Sequence, residues 1–139
     1  MTEANQNIQS ALNKHLSNMT PTMAIAWENV NFVTPTTIGT PYLRSWLLPG
    51  KTTGLTLGPN SFDEYLGIFQ IDCLYPIGQG WYDCKAKAGA ICTHFKKGTL
   101  ITYNNIEVRT YRVYPDSGDP DGEYYKVSVS IEYKAFTNS

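Results

Sequence analysis

The sequence predicts an α+β fold, a mainly antiparallel sheet with two helices packed on one face. Three observations carry the expectation. Apolar residues recur at helical spacing near the N-terminus. The central stretch YLGIFQIDCLYPIGQGWYDCKAKAGAICTHFKK runs from strand to turn to helix. The last third alternates at period two between turn-rich breaks. The expected order is α, β, β, β, α, β, β, β, a pattern of segregated helices and antiparallel strands. With 139 residues, the chain is read as one domain, 1–139.

Residues 3–19 read as the first helix. Ile8, Ala11, Leu12, His15, Leu16 and Met19 form one stripe, and Thr20-Pro21 closes the segment. His15 on that stripe suits the edge of a core better than catalysis. Met23, Ile25 and Trp27 alternate with smaller or polar neighbours as a short strand, and the Asn-, Thr- and Pro-rich residues 29–41 read as a loop. Tyr42 to Leu48 is the next strand, with Tyr42, Arg44 and Trp46 on one face; Pro49-Gly50 is expected to end it. Residues 49–63 then form a long loop with three Gly and two Pro, beyond usual hairpin length. Such a loop suits a contact surface or an exposed hairpin tip.

The central segment, 65–97, organises the rest. Gly67, Phe69, Ile71, Cys73 and Tyr75 fall on one face and Leu66, Ile68, Gln70, Asp72 and Leu74 on the other. Both faces are largely apolar, so an inner strand covered on both sides is expected. Pro76 and Gly78-Gln79-Gly80 turn the chain, and Trp81, Cys84, Ala88, Ile91, Cys92 and Phe95 follow at helical spacing. Lys85, Lys87, His94 and Lys97 fall mostly on the other side, and Gly98 offers a C-terminal cap. A three-stranded meander, 99–136, completes the fold. Asn104-Asn105 makes one tight turn and PDSGDPDG the next, before a final strand alternating Tyr125, Val127, Val129, Ile131, Tyr133 and Ala135 against Lys126, Ser128, Ser130, Glu132 and Lys134.

Composition narrows the function. Lys+Arg 11 against Asp+Glu 12 disfavours a strongly basic nucleic-acid or membrane-surface binder. Ten Tyr and three Trp raise the prospect of a contact surface. Three cysteines cannot all pair within one chain. Cys84 and Cys92 would stand about 12 Å apart along a helix, too far for a disulfide. Reduced thiols fit a cytosolic setting. No signal peptide or long apolar run occurs, although virion release by lysis would need none.

Reactive chemistry is sparse. Gly78-Gln79-Gly80 before a helix is only a fragment of a phosphate-binding loop. Cys92-Thr93-His94 offers two ligands where zinc needs three or four. Asp116, Asp119, Asp121 and Glu123 break calcium-loop spacing by placing Gly122 too early, and read as a solvated tip. His15 and His94 lack a nearby nucleophile elbow, and Glu64 and Asp72 show no acid–base pairing. No catalytic residue, metal site or cofactor site is expected.

The segment LGIFQIDCLYPIGQGWYDCKAKAGAICTHFKKGT nonetheless resembles the central part of small phage minor tail proteins. Gly67, Phe69, Gln70, Ile71, Pro76, Gly78, Gly80 and Phe95 match their strand, Pro-x-Gly-x-Gly turn and helix. Asp121, Gly122, Tyr125, Val127, Val129, Ile131, Tyr133 and Ala135 match their closing turn and strand. The pattern is similar to the tail terminators of long-tailed phages, such as that of phage lambda, over most of the chain except 29–63. That resemblance implies a structural protein of the virion, assembled in the host cytoplasm. Its subunits form a homo-oligomeric, hexameric ring at the head-proximal end of the tail. The implied partners are the tail tube protein and a head-completion or connector protein, with DNA only passing through the lumen and no membrane. Arg44, Trp46, Lys51, Phe62 and Asp63 are the candidate subunit or tube contacts. A head-completion or neck protein is the alternative within virion assembly, and a small ligand-binding domain the alternative outside it.

Overall fold

The computed structural model describes residues 4–19, 23–30, 40–54, 62–78, 80–104 and 106–138; for 4, 5, 51–54, 62, 63, 137 and 138 it gives the backbone alone. Helix α1, Ala4–Ser17, arises from the N-terminal stripe. Ile8, Ala11, Leu12 and Leu16 are buried completely or nearly so, and Met19 follows them into the core. Each large side chain buried this way contributes roughly 1.5–3 kcal/mol. His15 stays half-buried at the edge, as its place on the stripe predicts.

The expected strand around Met23–Trp27 shortens to β1, Ile25–Ala26. It pairs in parallel with the next strand, Ile25 against Leu43 and Ala26 against Arg44. The sheet is therefore mixed: this pair is parallel, and the other pairs among the described residues are antiparallel, in keeping with a mainly antiparallel sheet. The intervening residues, 27–41, supply the length that a parallel crossover needs.

Strand β2, Tyr42–Gly54, and strand β3, Phe62–Pro76, run far beyond the predicted ends. Pro49-Gly50 does not stop the chain. It sits in a register shift between Pro49 and Thr52, after which pairing resumes as Thr52 with Tyr65 and Gly54 with Asp63. Proline is tolerated at such a bulge because no ladder N–H is required of it. Gly50 fits for a similar reason: a Cβ there would lie 2.9 Å from the Leu66 carbonyl oxygen. The predicted loop 49–63 is thus largely two strand ends, with only 55–61 outside the described residues.

Helix α2, Tyr82–His94, follows the turn in which Gly78 and Gly80 adopt φ of 88° and 82°. Those angles favour glycine. Cys84, Ala88 and Ile91 face the core as predicted. Trp81 does not, since it precedes the first helical turn and is 58 % exposed. Lys87, expected on the solvent side, is buried. Phe95 caps the helix, and Gly98, three residues later at φ 88°, donates its N–H to Thr110 instead of forming the helix cap.

Strands β4, Leu100–Tyr103, and β5, Ile106–Pro115, form the expected hairpin, with Asn104 at φ 47° in its turn. The acidic tip holds a third short strand, β6, Asp119–Asp121, before β7, Tyr124–Asn138. Among the described residues, seven strands form one sheet in the order β1-β2-β3-β7-β5-β4, with β6 beside the start of β7. One hydrophobic cluster joins residues of α1 and α2 to Phe69, Ile71 and Cys73 of β3, Val108 of β5, and the alternating Val127, Val129, Ile131, Tyr133 and Ala135 of β7. The other face of β3 is only partly covered: Asp72 and Leu74 are buried, but Leu66, Ile68 and Gln70 stay half-buried.

Gly67 explains how the longest strands pack. It pairs directly with Tyr133, whose ring occupies the space a Cβ would take, and the Leu48 carbonyl lies 2.7 Å from that same point. An aromatic laid over a cross-strand glycine in this way restores the burial that the missing side chain gives up.

Candidate interaction surfaces

The less covered sheet face is built by the even-numbered residues of β3 and their neighbours on β2 and β7. Strand register sets Arg44 against Asp72 and Asp72 against Ser128. Asp72 is fully buried. Its Oδ2 accepts from Arg44 Nε at 3.1 Å and Nη2 at 2.9 Å, and its Oδ1 accepts from Ser128 Oγ at 2.6 Å. Arg44 Nη2 also donates to Asp121 at 3.1 Å. A buried carboxylate is tolerable only when it is paired and hydrogen-bonded, and this one is. Burial alone would lower the Arg44 pKa, but the hydrogen bonds to Asp72 and Asp121 outweigh it and hold it above its usual value. The cluster ties β2, β3, β6 and β7 together, so the acidic tip lies against the sheet.

Of the predicted contact residues, Arg44 is therefore engaged within the subunit. Its guanidinium also lies 5.6 Å from the centre of the Trp46 ring, a cation–π arrangement. Trp46 is half-buried, and next to it on the same face Leu48 is 44 % exposed. Lys51 lies in the bulged stretch of β2, and Phe62 and Asp63 begin β3, opposite Asn138 and Thr137. The side chains of Lys51, Phe62 and Asp63 lie outside the described residues. Asp72 was missed as a partner because register, not spacing along the chain, brings it to Arg44. The arginine opposite a carboxylate on adjoining predicted strands was the available signal.

A second surface lies at the N-terminal end of α2. Ile77, Trp81 and Tyr82 are 51, 58 and 71 % exposed. Ile77, Gly78, Gly80, Trp81 and Tyr125 line an open hollow of about 270 Å³. That is below the roughly 300–1,000 Å³ of typical small-molecule sites. Lys85 Nζ covers one face of Trp81 at 5.4 Å. Nearby, Asp116 Oδ1 accepts from the N–H groups of Gly118 and Ser128, both at 3.0 Å, so this carboxylate shapes the turn.

At the opposite end, the last turns of the two helices meet. The rings of His15 and His94 stack with centroids 4.1 Å apart. Each Nε2 contacts the other residue's carbonyl oxygen, at 2.8 and 2.6 Å. Both nitrogens then act as N–H donors. This is a mutual clasp between α1 and α2. Among the described residues no three His, Cys, Asp or Glu side chains converge as metal ligands, and no helix is long and apolar enough to cross a membrane.

The profile of the phage tail terminator protein family matches residues 7–133, from the first helix almost to the end of the last strand. The chain belongs to the phage tail terminator family. The chain is thus a structural phage tail protein of the virion, from a family that associates with other tail or head proteins. One solved structure superposes on the chain with a TM-score of 0.75 at 23 % identity, covering 95 % of each chain. At that identity the likeness is one of fold. Comparison with curated proteins gives no match.

Proposed function

We propose that this terminator is a single-domain subunit of a hexameric ring at the head-proximal end of a long-tailed phage tail. The ring caps the tube, halts its growth and offers a head-completion protein a docking surface, while DNA passes through the lumen. The observation that carries the reading is the family match across residues 7–133. A physical feature agrees with it: one hydrophobic cluster joins residues of both helices to Phe69, Ile71 and Cys73 of β3, while Trp46, Leu48 and Ile68 are only partly covered. Repeated modest contacts around a six-fold tube add to firm attachment.

In this reading Lys51, Phe62 and Asp63, toward the paired ends of β2 and β3, and Trp46, farther along β2 opposite Gln70, meet the tube or the next subunit, and Arg44 braces Trp46 from within. Association replaces catalysis, and no cofactor is involved. The test is absolute mass by light scattering across a wide concentration range, with and without tail tubes. A species of six subunits, alone or on the tube, supports the reading. A monomer that also ignores tubes refutes it. The double variant Trp46→Ala, Lys51→Glu should keep its fold but lose tube or ring assembly; unaltered assembly would remove these residues from the contact.

A further inference from the structure

We propose that the subunits of this ring meet head to tail along the axis of α2, the acidic aromatic end of one copy receiving the basic end of the next. The inference rests on the ring reading above and names the contact within it.

The two ends are chemically opposite. At the start of α2, the hollow beside Ile77 and Trp81 is apolar; Asp83 lies in the first turn of the helix, two residues after Trp81, and Ile77 donates its N–H to the Glu123 backbone carbonyl. Neither the Asp83 nor the Glu123 carboxylate takes part in an ion pair among the described residues. Lys85 is committed to one face of Trp81. Thirteen residues later, about 20 Å along the helix axis, the chain emerges as Lys96 and Lys97, both exposed. Beside them the edge strand β4 begins at Leu100, 46 % exposed and paired with Arg109. Lys96, Lys97 and Arg109 likewise form no ion pair among the described residues, and Glu107 offsets only one of these charges.

One end thus combines an apolar hollow with unpaired carboxylates, and the other an apolar knob with unpaired cations. Two like ends repel, so a symmetric contact is disfavoured. Opposite ends attract, and the resulting heterologous contact closes into a ring when its rotation allows. Exposed aromatic and aliphatic groups of this size on a small chain, each set among charges mainly of one sign, are the composition of an interface core with a polar rim.

Two charge-reversed variants test the contact: Asp83→Lys with Glu123→Lys, and Lys96→Glu with Lys97→Glu. All four side chains lie at the surface, and far-ultraviolet circular dichroism and the thermal midpoint establish that each variant folds. Each alone should show at least a tenfold weaker self-association than the unaltered chain, both free and on tail tubes. Mixed in equal amounts they should associate again, because alternating copies restore opposite charges at every junction. Association of either variant alone at the original strength would overturn the contact while leaving the ring intact. A mixture no stronger than its parts would overturn it as well. An unaltered chain that stays monomeric on and off the tube would instead defeat the ring reading on which the contact depends.

Discussion

Replacing Asp72 with alanine removes the centre of the charged cluster between β2, β3 and β7. Arg44 would lose two hydrogen bonds and keep only Asp121, and the Ser128 hydroxyl would lose its acceptor. Removing one partner of a buried ion pair costs about 3–5 kcal/mol. Arg44 retains 35 % side-chain exposure, so water recovers part of its solvation and the expected loss is about 2–3 kcal/mol. For a chain of this size that is a fall of roughly 8–12 °C in thermal midpoint. Urea denaturation, at concentrations where the chain is a monomer, should show a lower midpoint with an unchanged slope. Asp121→Ala makes the comparison, since Asp121 is 40 % exposed and holds one hydrogen bond; it should cost under about 1 kcal/mol. The double variant Arg44→Met, Asp72→Leu should return to within about 1 kcal/mol of the unaltered chain, because a packed apolar pair removes the desolvation of both charges. A loss below about 0.5 kcal/mol for Asp72→Ala, or equal losses for Asp72→Ala and Asp121→Ala, would refute the reasoning.

Gly67→Ala should destabilise by about 2 kcal/mol or more in the same urea assay, because the new methyl meets the Tyr133 ring and the Leu48 backbone; a neutral result would mean the strands can separate without cost. For His15, burial is the largest influence and lowers the pKa below the ordinary 6.5, with the neighbouring His94 charge adding to it and the carbonyl hydrogen bond opposing. The unfolded chain then binds the proton more readily, so stability is full above pH 6.5 and is lost as pH falls through 6.5 toward the lowered folded value. His15→Gln should flatten that part of the stability–pH curve, and an unchanged slope would count against the clasp. The thiols should differ in reactivity at pH 8. Burial pushes Cys84 up to about 11 and Cys73 higher still, whereas Cys92 is only half-buried and less perturbed. A disulfide reagent should modify Cys92 first and the other two only on unfolding, and rapid labelling of all three would contradict the packing.

Much of the fold was legible because its signals are local. The α1 stripe and the alternation in β7 place nearly every predicted apolar residue in the core. Asn104 takes the positive φ that its turn position predicts. What the chain concealed depends on contacts between distant segments. Pro49-Gly50 has the composition of a strand end, yet a bulge absorbs it and β2 continues to Gly54. The parallel pairing of β1 leaves no periodic trace in two residues. Trp81 matches the helical spacing of the core stripe but stands before the helix begins, which turns a predicted core residue into a surface one. The candidate contacts divide the same way: Arg44 was identifiable as a charged residue on an otherwise apolar strand face, but its use within the subunit follows from the β2–β3 register.

Capping of a tail tube by this chain can be watched in a tube-assembly reaction. Cognate tube protein would be polymerised with increasing amounts of the chain, and tube lengths and ends viewed by negative-stain electron microscopy. Tubes should shorten as the chain is added, each carrying a ring of six-fold symmetry at one end. Tubes of unchanged length with bare ends, in the presence of folded chain in excess, would contradict capping.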